Sequence, residues 1–280
     1  MGVAVKILVT GAAGFLGSHV VDALAHSGHS VGGVDNLSTG KLEWCAVPLE
    51  RDTFEESRHL RDSDVIVHCA AVADISRNWI PFHNRNELWR TNVEDTLAML
   101  ERLALGAACK HLIFISTAAV DSPQQSPYTA SKIAGEAMCK AYCQALGIHL
   151  TIVRPVSMLG KRYHHGHIVD FVRMAARDGV IRAKDNGRQR KPYCHVKDVA
   201  KHIADEALDP SPGMCITTVV PGVAWGIAWT AELLKCPITF GVDDRGWKGD
   251  PDVSAYTSDS PTNGVATWVQ ETIDWCRSQL

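Results

Sequence analysis

The sequence has little excess of charge of either sign and no long apolar run. The chain has 28 lysines and arginines and 31 aspartates and glutamates, a net charge of -3. This charge provides no electrostatic attraction for nucleic acid or an anionic membrane. No stretch approaches the roughly 20 apolar residues that cross a bilayer. The apolar start lacks a basic leader and is broken by Lys6 and three glycines, unlike a signal peptide. The sequence therefore predicts a cytoplasmic protein with neither nucleic acid nor membrane as partner.

Disulfide and metal signatures are also missing. The nine cysteines contain no Cys-x-x-Cys pair and no repeated spacing, which predicts reduced thiols. The histidine-rich segment at residues 163–167 has no cysteine or acidic cluster beside it, so we expect no metal site.

Short apolar runs alternate with longer amphipathic stretches through the first 155 residues. Runs such as VKILVT at residues 5–10 and HLIFIS at 111–116 are typical of buried strands, and helices are predicted over residues 18–27, about 86–105 and 126–146. This alternation predicts an α/β fold, a doubly wound parallel sheet of the Rossmann type. We expect residues 1–155 to form a dinucleotide-binding domain with the catalytic residues. Residues 156–280 form a mixed region, partly completing that domain and partly a small substrate-binding lobe.

A glycine-rich turn joins the first predicted strand to the first predicted helix. It reads Gly11-Ala12-Ala13-Gly14-Phe15-Leu16-Gly17. Glycines allow a tight turn and a close approach to a pyrophosphate, and the helix N-terminus attracts the phosphates. A glycine turn without a ligand is the alternative.

An acid follows the second predicted strand and favours the ligand. Asp35 lies about twenty residues past the glycines, where a carboxylate binds the adenosine ribose hydroxyls. A carboxylate repels a 2′-phosphate, and no arginine stands directly after it. The sequence therefore predicts NAD rather than NADP.

Several motifs in order resemble one protein family. The spacing GxxGxxG, the segment VDNLSTG at residues 34–40, HCAA at 68–71 and Asn92-Val93 resemble the extended short-chain dehydrogenases/reductases, in their nucleotide-sugar epimerase/dehydratase branch, which includes UDP-glucose 4-epimerases. The resemblance covers roughly residues 3 to 200. It implies NAD contacts from Gly11, Gly14, Phe15, Leu16, Gly17, Asp35, Asn36, Ser38, Asp52, Thr53, Ala70, Ala71, Asn92, Ser116, Tyr128, Lys132 and Pro155.

Tyr128 and Lys132 are four residues apart, on one face of a predicted helix. A nearby cationic amine favours the phenolate and lowers the pKa of the phenol, so Tyr128 is the candidate base. The spacing alone is common on surface helices, but Ser116-Thr117 ends the strand before it. The family resemblance implies that Thr117 provides the catalytic hydroxyl and that the Ser116 side chain points towards the packed interior or the cofactor. The alternative for Thr117 is that its hydroxyl only caps the end of the strand.

The residues after Thr117 separate the chemistries of the family. Dehydratases carry carboxylates there, whereas this chain has Ala118-Ala119-Val120 and no acid before Asp121. This pattern favours an epimerase over a dehydratase or decarboxylase. The implied reaction is transient oxidation at C4 of a nucleotide sugar to a 4-keto intermediate, with NAD regenerated.

The segments that face the sugar in the family depart from its pattern here. Only ten residues separate Thr117 from Tyr128, Ser157 replaces an asparagine, and Lys191 replaces a phosphate-binding arginine. Ser157, Lys191 and Arg245 are the candidate substrate residues, with Arg188 or Arg190 as substitutes for Lys191. A homodimer through the tyrosine helix and the preceding helix is expected. A net NAD(H)-dependent sugar dehydrogenase or 4-keto-reductase, and a catalytically silent dinucleotide-binding regulator, are the alternatives.

Overall fold

A computed structural model describes residues 4–51, 57–73, 85–122, 126–183, 190–210, 214–219, 224–241 and 264–280. Contacts divide the chain into two compact units. Unit 1 comprises residues 1–120, 126–155 and 197–218, and unit 2 comprises residues 121–125, 156–196 and 219–280. Thus one segment of unit 1 ends at Pro155, and a later segment returns to that unit.

The strands and helices are as follows. The strands are β1 Lys6–Thr10, β2 Ser30–Val34, β3 Leu49–Glu50, β4 Val65–His68, β5 His111–Ile115, β6 His149–Pro155, β7 Ser157–Leu159, β8 Ile181–Ala183, β9 Arg190–His195, β10 Met214–Val219, β11 Ala224–Gly226 and β12 Ile238–Phe240. The α-helices are α1 Phe15–Leu24, α2 Arg58–Asp62, α3 Arg85–Trp89, α4 Asp95–Ala104, α5 Pro127–Leu146, α6 His167–Asp178, α7 Val196–Leu208, α8 Ile227–Leu234 and α9 Val265–Ser278. None of the described helices is long and apolar enough to span a membrane.

Unit 1 is built on a sheet whose strand order is β10-β6-β5-β4-β1-β2-β3. The pairs from β3 to β6 are all parallel. This order is that of a doubly wound dinucleotide-binding sheet, so the predicted Rossmann architecture is confirmed. The sheet is buried because its strands are almost wholly apolar: Leu8, Ile66 and Leu112 are fully inaccessible.

The register of the sheet brings together the loops that carry the candidate residues. Thr10 is level with Val34 on one side and with His68 on the other. Further along, His68 is level with Phe114 and Ile115 with Val153. The segments after β1, β2, β4, β5 and β6 therefore begin at the same carboxyl edge, where ligands bind in such sheets.

Two predicted helices differ from expectation at their ends or within. The first begins at Phe15 rather than at residue 18, because Gly14 already serves as its N-cap. The helix predicted over residues 86–105 is interrupted by a π-turn, Arg90–Glu94, between α3 and α4. The tyrosine helix α5 begins with a capping box between Ser126 and Thr129 and ends at Leu146, with Gly147 at φ +68° as its C-cap.

Unit 2 contains two small sheets and three helices among its described residues. β9 pairs in parallel with β7 and antiparallel with β11, and β8 pairs in parallel with β12. Its core joins apolar residues of α6, α8 and α9 to the sheets, among them Phe171, Trp225 and Ile273. Unit 2 thus combines parallel and antiparallel strand pairs with helices.

Candidate active site

The glycine turn after β1 is packed too tightly for side chains. Gly11 has φ +65°, and a Cβ placed on it would lie 2.8 Å from the backbone N and Cα of Ala70. A Cβ on Gly17 would lie 2.1 Å from the carbonyl oxygen of Gly11. The turn therefore draws strand, helix and the segment after β4 together. Because Gly14 offers no side chain to cap α1, the first N–H groups of this helix can face a pyrophosphate.

Asp35 joins the glycine turn to the loop after β2. The N–H of Ala13 donates to Asp35 Oδ2 at 2.9 Å, and the N–H of Leu37 donates to Oδ1 at 2.7 Å. Burial raises the pKa of this carboxyl, while the N–H donors act in the opposite direction. In the same loop, Asn36 Oδ1 accepts from the N–H of Ser38 at 2.9 Å. The acid, the turn and the helix end fit the adenosine and pyrophosphate of a dinucleotide.

His68 anchors the end of β4 through a chain of hydrogen bonds. Its Nδ1 lies 2.8 Å from Thr10 Oγ1, and its Nε2 lies 3.0 Å from Thr96 Oγ1. The N–H of Ala70 donates to the same Thr10 hydroxyl at 3.3 Å. Burial lowers the pKa of His68 to about 3, so the imidazole is neutral. Sequence reasoning missed this role, although a threonine and a histidine in apolar strands are a visible signal.

Asn92 lies in the π-turn and connects three segments. Its Oδ1 accepts from the N–H of Val72 at 2.7 Å, and its Nδ2 donates to the carbonyl of Val72 at 3.1 Å. Nδ2 also donates to Ser131 Oγ at 3.0 Å, and Ser131 donates to the carbonyl of Tyr128 at 2.7 Å. Asn92 thus fixes the segment after Ala70 and Ala71 to the tyrosine helix. A π-turn of this kind is frequent at functional sites.

Lys132 is buried against the end of β5. Its Nζ donates to the carbonyl of Ile115 at 2.9 Å and lies 5.1 Å from the centroid of the Phe114 ring. Burial lowers the pKa of Lys132 to about 8 and raises the pKa of Tyr128 to about 12. The sequence predicted a lowered pKa for Tyr128. The chain alone shows the opposite direction, because desolvation of the phenolate prevails.

Ser116 and Thr117 follow β5 and differ in their surroundings. Ser116 is buried and donates to Glu136 Oε1 at 2.6 Å. Thr117 is half-buried, and its Oγ1 accepts from the N–H of Ala119 at 3.3 Å. This bond caps the 3₁₀ turn Ala118–Asp121 and leaves the hydroxyl hydrogen of Thr117 able to donate.

The remaining predicted residues belong to both units or lie outside the described residues. Pro155 is buried at the end of β6, whereas in unit 2 Ser157 is exposed in β7 and Lys191 is half-buried in β9. The predicted contacts Asp52, Thr53 and Arg245, and the substitute Arg188, lie outside the described residues. Within the described ranges no group of three or more His, Cys, Asp or Glu side chains could hold a metal ion.

Comparisons with known proteins decide the family. The family model "NAD dependent epimerase/dehydratase family" matches residues 7–205. The chain belongs to this family. The predicted family and the NAD dependence that goes with it are thereby confirmed.

Relatives within the family carry out more than one reaction. A putative UDP-glucose 4-epimerase of Methanocaldococcus jannaschii is 30% identical over 222 residues, covering 70% of this chain and 71% of that protein. UDP-glucuronic acid decarboxylase 1 of Danio rerio is 28% identical, over 69% of this chain and 52% of that protein. Family members are thus nucleotide-sugar epimerases and decarboxylases.

Solved structures agree over almost the whole chain. UDP-N-acetylglucosamine 4-epimerase from Methanobrevibacter ruminantium M1 superposes with a TM-score of 0.81 at 22% identity, covering 99% of both chains. UDP-glucuronic acid 4-epimerase from Bacillus cereus, in complex with UDP-glucuronic acid and NAD, gives a TM-score of 0.79 at 22% identity, covering 98% of this chain. At these identities the likeness establishes the fold.

Proposed function

We propose that the protein is an NAD-dependent 4-epimerase of a nucleotide sugar, with a UDP-hexose as the default substrate. The observation that carries the proposal is that Lys132, one turn after Tyr128 on α5, donates to the carbonyl of Ile115, two residues before Thr117. Two alanines, Ala118 and Ala119, follow Thr117 where the dehydratases of the family carry acids. The substrate would be oxidised at C4 to a 4-keto sugar and reduced again on the opposite face.

Each of the three candidate catalytic residues has one task in this scheme. Tyr128 takes the proton of the C4 hydroxyl and later returns it, Thr117 donates its hydroxyl hydrogen to the same sugar oxygen, and Lys132 holds the nicotinamide ribose. NAD accepts the hydride from C4 and gives it back. Nicotinamide-binding residues and proton-transfer residues then share the end of β5 and one face of α5.

The raised pKa of Tyr128 defines what the site must supply. A phenol with a pKa of about 12 is a poor base at neutral pH, so positive charge has to be brought close to it. Lys132 lies one helical turn away and is only 3% exposed, so its charge is weakly screened. The proposal therefore requires Lys132 to be protonated when Tyr128 reacts.

The decarboxylases among the relatives provide the competing function. A decarboxylase releases the carboxyl carbon of a UDP-uronic acid and gives a pentose, whereas a 4-epimerase conserves every atom of its substrate. The small residues after Thr117 favour the epimerase, since no carboxylate is placed there for a further acid or base step.

The decisive experiment incubates the purified protein with UDP-glucose, UDP-galactose, UDP-N-acetylglucosamine and UDP-glucuronic acid separately. Products are analysed by chromatography and mass spectrometry, and absorbance at 340 nm is followed. We expect a 4-epimer of unchanged mass and no lasting absorbance rise. Tyr128→Phe should abolish turnover, while Tyr142→Phe on the same helix should not. Lasting NADH formation would instead establish a net dehydrogenase, and loss of CO₂ a decarboxylase.

Substrate contacts and assembly complete the proposal. Lys191 would bind the diphosphate as a point charge and Ser157 and Arg245 would contribute to the sugar-nucleotide site. A homodimer would use α5 and the preceding helical segment predicted over residues 86–105, in which the large apolar side chains of Ile133 and Trp89 are 43% and 47% exposed. The eight cysteines that can be described are free thiols.

A further inference from the structure

A buried carboxylate on the tyrosine helix connects three elements at the carboxyl edge of the sheet. Glu136 is 4% exposed and accepts from Ser116 Oγ at 2.6 Å. Arg154 at the end of β6 donates from Nε to Oε1 at 2.8 Å and from Nη2 to Oε2 at 2.6 Å. Lys140, one turn further along α5, lies 3.6 Å from Oε2. One side chain thereby binds α5 to the ends of both β5 and β6.

The network is ionic. Burial alone would raise the pKa of Glu136, but the hydrogen bonds from Arg154 and Ser116 hold it below its ordinary value, so the carboxylate is charged. Arg154 makes a bidentate contact, which fixes orientation as well as distance. Removing the carboxylate would deprive a largely buried guanidinium of this bidentate contact, which is costlier than losing a surface pair.

The residues tied to Glu136 are direct neighbours of the candidate reacting groups. Ser116 precedes Thr117 in the chain, and its N–H donates to the carbonyl of Val153 at 2.8 Å. Glu136 itself stands one helical turn after Lys132 on the same face of α5. A shift of the Glu136 carboxylate would therefore move Thr117 relative to Lys132.

We propose that Glu136 is a positioning residue, which sets the separation between the Thr117 hydroxyl and the Lys132 amine by clamping Ser116 and Arg154. The inference rests on the proposed function. Glu136 acts through its neighbours and does not touch the substrate.

The same carboxylate also supports the charge of Lys132. Burial lowers the pKa of Lys132, while Cys69, Cys139 and Glu136 raise it, and His68, also near the amine, is neutral. Of these neighbours Glu136 carries a full negative charge at neutral pH, since burial raises the pKa of Cys69 to about 12 and also that of Cys139. Replacing Glu136 by a neutral side chain should therefore deprotonate Lys132 at a lower pH.

The test compares Glu136→Gln, Ser116→Ala and their combination with the matched control Glu101→Gln, an exposed glutamate on α4. For each we measure kcat and KM over pH 6–10, NAD affinity by calorimetry over the same range, and thermal stability. We expect kcat of Glu136→Gln to fall about 100-fold, as a small misplacement of reacting groups requires, with KM nearly unchanged. The alkaline limb of the kcat profile should move to lower pH in Glu136→Gln. The kcat of the combined variant should be no lower than that of Glu136→Gln.

The Ser116→Ala variant keeps the ion pair between Glu136 and Arg154, so it remains informative if Glu136→Gln folds poorly. Its kcat should fall while its melting temperature changes little. The inference would be overturned if Glu136→Gln and Ser116→Ala both had the wild-type kcat and an unmoved alkaline limb of the pH profile. A loss of kcat no larger than that of Glu101→Gln would also overturn it. If the wild-type protein turned over none of the sugars, the proposed function would fail. In that case the NAD measurements, which need no sugar, remain. Weaker NAD binding by Glu136→Gln, with the alkaline limb of the NAD-affinity profile at lower pH than in the wild type, would still support the positioning role.

Discussion

The contact between Gly11 and Ala70 can be measured by comparing two glycine-to-alanine substitutions. Gly11 and Gly147 have almost the same φ, +65° and +68°. They differ in their surroundings. A Cβ on Gly11 would lie 2.8 Å from two backbone atoms of Ala70, whereas a Cβ on Gly147 would meet nothing within 4 Å.

The magnitudes follow from this difference. Holding an alanine in the left-handed region costs about 1–2 kcal/mol at either position. Forcing a methyl group into a packed site costs about 1–3 kcal/mol more, and only Gly11→Ala bears this second cost. The restriction of the unfolded chain is common to both variants and cancels. We therefore expect Gly11→Ala to lose about 1–3 kcal/mol more stability than Gly147→Ala.

Urea unfolding followed by circular dichroism, with and without NAD, provides the measurement. Gly11→Ala should unfold at lower urea concentration and bind NAD at least tenfold more weakly, because the turn must move away from Ala70. Gly147→Ala lies at the far end of α5 and should bind NAD as the wild type does. Equal losses of stability, or unaltered NAD affinity in Gly11→Ala, would refute the close approach of the turn to β4.

Three further predictions concern charge, assembly and pH. Asp35→Asn should weaken NAD binding and reduce the preference for NAD over NADP, because the amide nitrogen cannot accept the N–H group that one carboxylate oxygen now accepts, and the neutral side chain no longer repels a 2′-phosphate. Calorimetry with both dinucleotides should show a smaller affinity ratio, and an unchanged ratio would contradict this. Ile133→Glu should convert a dimer into a monomer in light scattering, whereas a dimer that persists would place the interface elsewhere. The folded pKa of His68, about 3, lies below its unfolded value near 6.5, so its stabilisation is complete above pH 6.5 and is lost as pH falls towards 3. Unfolding free energy should thus decline by up to about 1.4 kcal/mol per pH unit for this proton, and His68→Asn should reduce that slope or the assignment is wrong.

The architecture was predictable because the patterns that specify it are local and repeated. Nearly continuous apolar strands separated by helices leave few alternatives to a parallel sheet, and the glycine turn indicates which strand comes first in the binding edge. Asp35 was predictable for the same reason, since its distance from the glycines along the chain is set by one helix and one strand.

The interior of the helix before β5 was not predictable in this way. The apolar pattern of residues 86–105 continues through the π-turn, and the turn is stabilised by contacts far along the chain. Asn92 reaches Val72 and Ser131, which are 20 and 39 residues away. Periodicity within one helix contains no information on such partners.

The network of Glu136 lies between these two cases. Helical spacing places Tyr128, Lys132 and Glu136 on one face, which the sequence shows plainly. That this face is buried, and that Arg154 from a strand provides the counter-ion, depends on the packing of α5 on the sheet. The pKa of Tyr128 fails to follow the sequence prediction for the same reason, because desolvation is a property of the folded chain.

The polar groups at the carboxyl edge therefore differ in what they leave for a ligand. Four polar side chains form hydrogen bonds that join neighbouring segments and so hold the edge rigid: those of Thr10, His68, Asn92 and Glu136. Thr117 accepts one bond from Ala119, and the phenol of Tyr128 has no hydrogen-bond partner among the described residues. Groups that remain able to exchange a proton are the ones that reaction chemistry needs, and their fixed neighbours supply the preorganisation. If the edge is rigid in this sense, substitutions in the first set should lower kcat through geometry, while substitutions of Thr117 and Tyr128 should remove the proton transfer itself and leave NAD bound.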